Sequence, residues 1–404
     1  MQRVSHASGW EKRFDRFVQP FLDAWRHKKR RQWAPIYLRG LLLPGERKSI
    51  EPLAARVAPG HDQELRHFIS ESAWDQAEIE EVLWEKADAM LGGDDAFLII
   101  DDTALPKKGV ESVGVAHQYC GALGKQANCQ SLVSATLAKD DVPVPVALRL
   151  YLPEAWANDK KRRARVDVPD AIEFQPKWRI ALDEVRRLKK AGVRFGTVLA
   201  DAGYGVCADF RRGLSEEKLF WAVGIISEQK LYPVNAHTRM PRPGPAGGRP
   251  RVRGLPTHAR RTAKELVAQR GEKAWRRISW RDGTKGPLEA EFIAVRVRVA
   301  DGPKTTNGVH LPGDEAWLVG ERRHTGEVKY HLTNHPPNAA LKTLASAIKA
   351  RWSCEQAHQQ LKEELGLDHF EGRTWRGLHH HALMTLICFA FLQQERLREN
   401  KPAA

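Results

Sequence analysis

The stretch Ala96-Phe-Leu-Ile-Ile-Asp-Asp-Thr103 decides the fold. Its first five residues form a continuous apolar run, the pattern of a short strand buried on both faces rather than an alternating half-exposed one. The run stops on two adjacent carboxylates, Asp101 and Asp102. Immediately downstream, Ser131–Leu137 and Val142–Leu152 are rich in Val and Leu and predict two more strands. Pro176–Ala191 predicts a helix, with proline in its first turn and Gly192 as the stop signal. A strand follows over Val193–Ala200 and ends on a third carboxylate, Asp201; a helix near Ala208–Leu214 and a strand over Leu219–Ile226 come next. Both carboxylate positions fall at strand ends, where open α/β sheets place their active sites.

Three strands and then alternating helix and strand is the order of a ribonuclease-H-like mixed α/β sheet flanked by helices, and the rest of the chain is read around it. Residues 1–90 predict a helical N-terminal DNA-binding region, with apolar positions at helical spacing through Phe14, Phe17, Phe21 and Trp25 and again through Leu65, Phe68, Ile69 and Trp74. Between them lies Arg26-His-Lys-Lys-Arg-Arg31; alone such a run suits a solvated helix face, but in this chain DNA-backbone contact is the better reading. Residues 91–226 hold the first part of the core. Residues 227–335 read as a mostly β insertion containing Arg239–Arg261, a Pro- and Gly-rich basic loop with seven arginines and no acidic residue. Residues 336–404 return to the core as helices, the first running from Leu341 through Leu365.

Composition agrees. At 404 residues, two or three units are expected. Lys and Arg number 65 against 50 Asp and Glu, a net +15 that points to a polyanionic partner without naming the reaction. The five cysteines include no C-x-x-C pair, so neither a disulfide framework nor a zinc knuckle is indicated. The longest apolar run, His381–Leu392, is too short to span a bilayer, and the N-terminus has no apolar signal core. A cytosolic protein with no membrane partner is expected. No phosphate-cradling glycine loop appears, so no nucleotide cofactor is expected.

Two strand-end aspartates and a glutamate on a helix are what a two-metal phosphoryl-transfer site needs, because hard oxygen ligands hold Mg²⁺ and leave positions open for water and phosphate. Glu355 is the candidate: Arg351 stands four residues before it, His358 three after and Lys362 seven after, which places all four on one face of a helix. A surface helix with ordinary ion pairs would show the same spacing. Asp101 and Asp102 are adjacent on a strand and point to opposite faces, so a regular strand presents only one of them; Asp102, next to Thr103 and the turn into Pro106-Lys-Lys-Gly109, is the favoured one. Lys107 and Lys108 in that turn are candidate DNA contacts. For Tyr204, packing is favoured over DNA contact. His379-His380-His381 points in three directions and makes a poor metal site, so DNA contact or helix entry is favoured.

Ile100-Asp-Asp-Thr-Ala-Leu-Pro-Lys-Lys-Gly109, Val113-Gly-Val-Ala-His-Gln-Tyr119, Leu150-Tyr-Leu-Pro-Glu-Ala-Trp156 and Ala200-Asp-Ala-Gly-Tyr-Gly205 resemble the bacterial insertion-sequence DDE transposases of the seven-hundred-and-one type, near the IS-four clan. Tyr37-Leu-Arg-Gly-Leu-Leu42 and Trp375-Arg-Gly-Leu-His-His-His381 look like the same family, so the likeness runs over nearly the whole chain. It implies a ribonuclease-H-like core with catalytic, metal-binding Asp101 or Asp102, Asp201 and Glu355, and two Mg²⁺ ions for which Mn²⁺ can substitute. It also implies cleavage at transposon ends and transfer of the 3′ hydroxyls into target DNA. Terminal inverted repeats and target DNA are the expected partners, with a dimer in the synaptic complex. The clan's Tyr-x2-Arg-x3-Glu-x6-Lys signature is kept at Arg351, Glu355 and Lys362 but has Ile348 in place of its tyrosine. An insertion aromatic stacks on a flipped base in the clan; Trp275, Trp280 and Trp317 are the candidates here, with Trp280 taken as the candidate DNA contact, although a core role is the favoured explanation for any one of them. The competing readings are a domesticated regulator without catalysis and a ribonuclease-H-like nuclease without strand transfer.

Overall fold

The computed structural model describes residues 9–240, 254–283, 286–305 and 307–399. Most of the expected basic loop, 241–253, lies outside the described residues. The chain divides into two compact units, Met1–Phe195 with Trp352–Ala404, and Gly196–Arg351. In chain order the first contains α1 (Gly9–Ala24), α2 (Lys28–Leu42), α3 (Ile50–Val57), α4 (Asp62–Arg66), α5 (Gln76–Leu91), β1 (Gly93–Pro106), β2 (Ala116–Cys120), β3 (Lys125–Lys139), β4 (Val142–Leu150), α6 (Glu154–Ala157), α7 (Lys160–Arg165) and α8 (Lys177–Lys190). The second contains β5 (Phe195–Ala200), α9 (Ala202–Gly205), α10 (Ala208–Glu216), β6 (Phe220–Ile225), β7 (Lys230–Pro233), β8 (Thr238–Arg239), β9 (Leu255–Pro256), β10 (Arg261–Thr262), α11 (Ala263–Ala268), β11 (Arg276–Gly283), β12 (Gly286–Val299), β13 (Glu315–Arg322), β14 (Val328–Thr333) and α12 (Leu341–Ala350). The chain then returns to the first unit with α13 (Trp352–Glu363) and α14 (Trp375–Glu399).

In the first unit β1, β3 and β4 are antiparallel neighbours, with β2 on the far end of β3. Ala96, Leu98, Ile99 and Ile100 are buried, as an unbroken apolar run requires. The β3–β4 turn is Asp140-Asp141, both left-handed with φ of 48° and 62°, the geometry that a two-residue hairpin matched to strand twist demands. Pro143 and Pro145 are tolerated because, among the described strands, β4 pairs only with β3. The long helix α14 is buried nearly all round. The N-terminal helices share its core: Phe14 and Phe17 of α1 each lie 5.4 Å from Phe391 between ring centres. Arg149 of β4 is buried between Glu184 of α8 at 2.9 Å and Glu80 of α5 at 2.5 Å. Breaking a buried pair of this kind costs about 3–5 kcal/mol.

In the second unit β5 and β6 are parallel, and β14 lies antiparallel beside β6 and continues through β13, β12, β7 and β10. The strands read as an insertion therefore extend the β6 sheet instead of closing on themselves. The helix read across Leu341–Leu365 is two helices separated at Arg351. Leu344, Ala345, Ala347 and Ile348 of α12 are buried in the second unit and Cys354, Ala357, His358 and Leu361 of α13 in the first, so the two halves serve different cores. No helix among the described residues is long and apolar enough to cross a membrane.

Candidate active site

Asp101 and Asp102 lie within β1, which runs on to Pro106 instead of ending on them as expected, and the pleat sends them to opposite faces; the register shows which is which. Asp101 stands opposite Ser134 of β3, and residues directly opposite in an antiparallel pair project to the same side. Ser134 and Thr136 project into α13: Ser134 Oγ lies 2.8 Å from His358 Nε2 and Thr136 Oγ1 lies 3.3 Å from Cys354 Sγ. Asp101 therefore lies on the sheet face that α13 covers, and α13 carries Glu355 on its exposed side. Asp102 stands opposite Val133, as does Arg149, on the face where α8 packs. There Lys177 Nζ, at the first residue of α8, meets Asp102 Oδ2 at 2.6 Å. The sequence reading favoured Asp102; the register places Asp101 on the face shared with the glutamate helix.

Asp201 ends β5 in the second unit. Its Oδ1 caps the short α9, accepting the backbone N–H of Gly203 at 2.9 Å and of Tyr204 at 3.4 Å. The turn needs two glycines. A Cβ on Gly205 would sit 1.9 Å from the carbonyl oxygen of Gly224, and one on Gly224 would sit 2.8 Å from the nitrogen of Ala202. Tyr204 is buried and packs on Phe210, as expected.

Asp201 opens into a cavity of about 390 Å³ lined also by Ser227, Lys329, His331, Ile348 and Arg351. Two sequence-predicted residues, Asp201 and Arg351, thus meet in one pocket. Ser227, Lys329 and His331 were not anticipated, because β6 and β14 bring them there through pairing between segments about a hundred residues apart. Behind His331, Glu321 is nearly inaccessible: burial would raise its pKa, but contacts from His331 and Lys349 hold it down at about 2. Lys349 Nζ is 2.7 Å away and pairs with it. Burial lowers the pKa of His331.

Of the other expected contacts, His358 and Lys107 turn toward the protein interior. His358 is buried against Ser134, so it faces the core and not solvent. Lys107 donates from Nζ to the carbonyl of Phe370 at 2.7 Å, and burial pulls its pKa down; Lys108 beside it is exposed. Lys362 is half-buried in the last turn of α13. Trp280 occupies a bulge in β11, edge-on to Phe292, with Lys349 Nζ 4.7 Å from its ring centre. Arg322 covers Trp275, while Trp317 donates to the carbonyl of Pro336 at 3.0 Å.

The triple histidine corrects the expectation of DNA contact and leaves that of helix entry. His379, His380 and His381 lie in the first two turns of α14 and all are buried. His380 stacks on Trp74 with ring centres 3.5 Å apart and bonds the carbonyl of Ile69 at 2.9 Å. His381 bonds Tyr37 Oη at 2.8 Å and the carbonyl of Gly366 at 2.9 Å. Burial lowers the three pKa values to about 4, 3 and 4 in order.

Among the described residues, no group of three or more His, Cys, Asp or Glu side chains is assembled closely enough to hold a metal ion. The chemistry of the donors at the three predicted positions still fits one class of ion: all are carboxylates, the hard ligands that Mg²⁺ and Mn²⁺ take.

Residues 20–287 match the family model of the DDE superfamily endonucleases. The chain belongs to that family. The matched segment contains Asp101, Asp102 and Asp201 and stops before Glu355. Over 183 residues this family member is 31% identical to a probable transposase for insertion sequence element IS701 from Microchaete diplosiphon, an alignment spanning 45% of each chain. Among solved structures it is similar to piggyBac transposase in a synaptic complex with hairpin DNA, at a TM-score of 0.44 and 9% identity, covering 97% of this chain and 73% of that one. At that level of likeness the architecture rests on the pairing described above.

Proposed function

We propose that this DDE-family chain is an insertion-sequence transposase that cleaves DNA at transposon ends and joins the freed 3′ hydroxyls to target DNA. The observation that carries the reading is the cavity of Asp201, where a carboxylate suited to a hard cation lies with Lys329 and Arg351, cations suited to phosphate oxygens. Asp101, on the α13 face of β1, and Glu355, on α13 itself, supply the other two carboxylates. A ribonuclease-H-like core is the framework in which these segments serve one site.

Divalent ions held by the three carboxylates, Mg²⁺ with Mn²⁺ as substitute, would activate the attacking oxygen and stabilise the leaving one. The protein's own work is electrostatic and positional. Arg351 and Lys329 orient non-bridging oxygens of the scissile phosphate, and Lys362 and Lys108 neutralise flanking phosphates. In cleavage, a water oxygen bonds to phosphorus as the P–O3′ bond breaks, leaving a 3′ hydroxyl and a 5′ phosphate. In strand transfer, that 3′ hydroxyl bonds to a target phosphorus and a target 3′ oxygen leaves. No side chain forms a covalent intermediate. Joining two ends at once requires at least a dimer on the DNA. The terminal inverted repeats are the sequence-specific partner, and the site of action is the bacterial cytoplasm.

The test incubates purified protein with DNA carrying the element's ends in Mg²⁺ or in EDTA. Metal-dependent nicking at the end, joined product from precut ends, and loss of both in Asp201→Ala with DNA binding retained are the expected results. Binding with no cleavage in either Mg²⁺ or Mn²⁺ would make the chain a regulator. Cleavage with no joined product would make it a nuclease.

A further inference from the structure

The interface between α13 and β3 is polar where a helix on a sheet is ordinarily apolar. Ser134, Thr136 and Cys354 are fully buried there and His358 is 6% exposed. Burying four polar groups costs free energy unless each is bonded, and an apolar set of the same volume would hold the helix at least as well. These groups are bonded in one directed line. Ser134 Oγ donates its single hydrogen to the carbonyl oxygen of Asp101 at 3.0 Å. Toward His358, at 2.8 Å, it can then only accept, so His358 carries its proton on Nε2. Cys354 Sγ adds contacts to Thr136 Oγ1 at 3.3 Å and to His358 Nε2 at 3.5 Å. Asp101 is gripped from its other side as well, its Oδ1 accepting the N–H of Asp102 at 2.8 Å. The line runs from the residue three positions after Glu355 to the peptide of Asp101.

We propose that His358 and Ser134 are positioning residues that fix where α13 sits along β3, and so fix Glu355 relative to Asp101 for a divalent cation that both carboxylates bind. Hydrogen bonds are directional and apolar contacts are not, so this line resists the sliding and rotation of α13 that an apolar seam would allow. The inference rests on the reading of Asp101 and Glu355 as metal ligands. It is separable from that reading, because His358 and Ser134 are buried against each other and are not among the proposed ligands.

Four variants test it: Ser134→Ala and His358→Leu, which cut the line, and Ser134→Thr and His358→Gln, which keep a hydroxyl and an N–H donor. Ser134→Ala deletes one oxygen from a strand and keeps the test open if His358→Leu does not fold. Mn²⁺ binding to DNA-free protein is read by electron paramagnetic resonance, alongside melting temperature, end-DNA affinity in EDTA and the Mg²⁺ requirement for cleavage. The cutting variants are expected to weaken Mn²⁺ binding by about 10- to 100-fold, the usual effect of removing support behind a ligand. Their affinity for end DNA in EDTA should be unchanged, and the conservative variants should recover most of the loss. A folded Ser134→Ala protein with wild-type Mn²⁺ affinity and metal requirement would overturn the inference while leaving the proposed function intact. So would a loss that the conservative variants do not recover. Wild-type protein that neither binds Mn²⁺ nor cleaves would overturn both.

Discussion

Asp101 and Asp102 are chemically identical neighbours, and what separates them is the pleat. One shares the Ser134 face with α13, and the other is engaged by Lys177 at 2.6 Å on the α8 face. Asp101→Asn is therefore expected to abolish metal-dependent cleavage, to below roughly one thousandth of wild type, with DNA binding retained. Asp102→Asn should keep cleavage within about tenfold and lower stability by about 1 kcal/mol or less, since its ion pair is partly exposed. Single-turnover cleavage and urea unfolding of the two proteins check this, and the reverse ranking would return the catalytic role to Asp102. The ambiguity was legible in the sequence as a pair; its resolution was not, because the face of a residue depends on the partner strand's register. His358 misled for a related reason. Spacing put it on a helix face with Glu355, and only the packing of β3 shows that the polar seam beneath, Ser134 and Thr136, claims the histidine.

Among the elements, α14 is the one whose chemistry the sequence most understated. Three consecutive histidines on a basic chain suggest a surface, but Trp74, Tyr37 and the carbonyls of Ile69 and Gly366 receive them in a core. Their pKa values are lowered to about 4, 3 and 4. With folded values below the unfolded value of about 6.5, the unfolded chain binds more protons in acid. Their contribution is complete above that pH and is lost as pH falls from about 6.5 toward 4, at about 1.4 kcal/mol per pH unit for each histidine. Urea unfolding at pH 7 and pH 5 should show the fall, and His380→Phe should flatten it; stability independent of pH across that range would contradict the burial. The other elements divide by how local their signals are. β1, β5 and α8 were legible from apolar runs and a Pro–Gly frame. The weakly patterned β2 was not, and neither was the break at Arg351, which arises because α12 and α13 serve separate cores.

For the whole molecule, the net charge of +15 is the dominant feature, and it belongs to function rather than to fold. Part of the cationic surface is already occupied: Arg26 pairs with Glu78 at 2.9 Å and Arg31 with Asp23 at 3.6 Å. Enough remains that DNA binding should release counterions. Affinity for end DNA is expected to fall by roughly a hundredfold or more between 50 and 200 mM salt, linearly in the logarithms. Fluorescence anisotropy across that range measures it, and a flat response would contradict a backbone-contacting surface. Fold class and the strand-end Asp201 were legible because apolar runs and their flanking residues are local signals, whereas the first aspartates proved to lie inside β1. The Asp201 cavity was not, since Lys329, His331 and Arg351 reach it from separate segments.

If Asp101, Asp201 and Glu355 hold divalent cations at one site, as proposed, Fe²⁺ put in place of Mg²⁺ reports it. With ascorbate and peroxide, bound iron generates hydroxyl radicals that cut the backbone beside its ligands. On a synaptic DNA complex, cuts are expected around residues 101, 201 and 355 together, suppressed by excess Mg²⁺ and lost in Asp201→Ala. Cuts confined to one of the three segments, or clustered elsewhere, would contradict the claim.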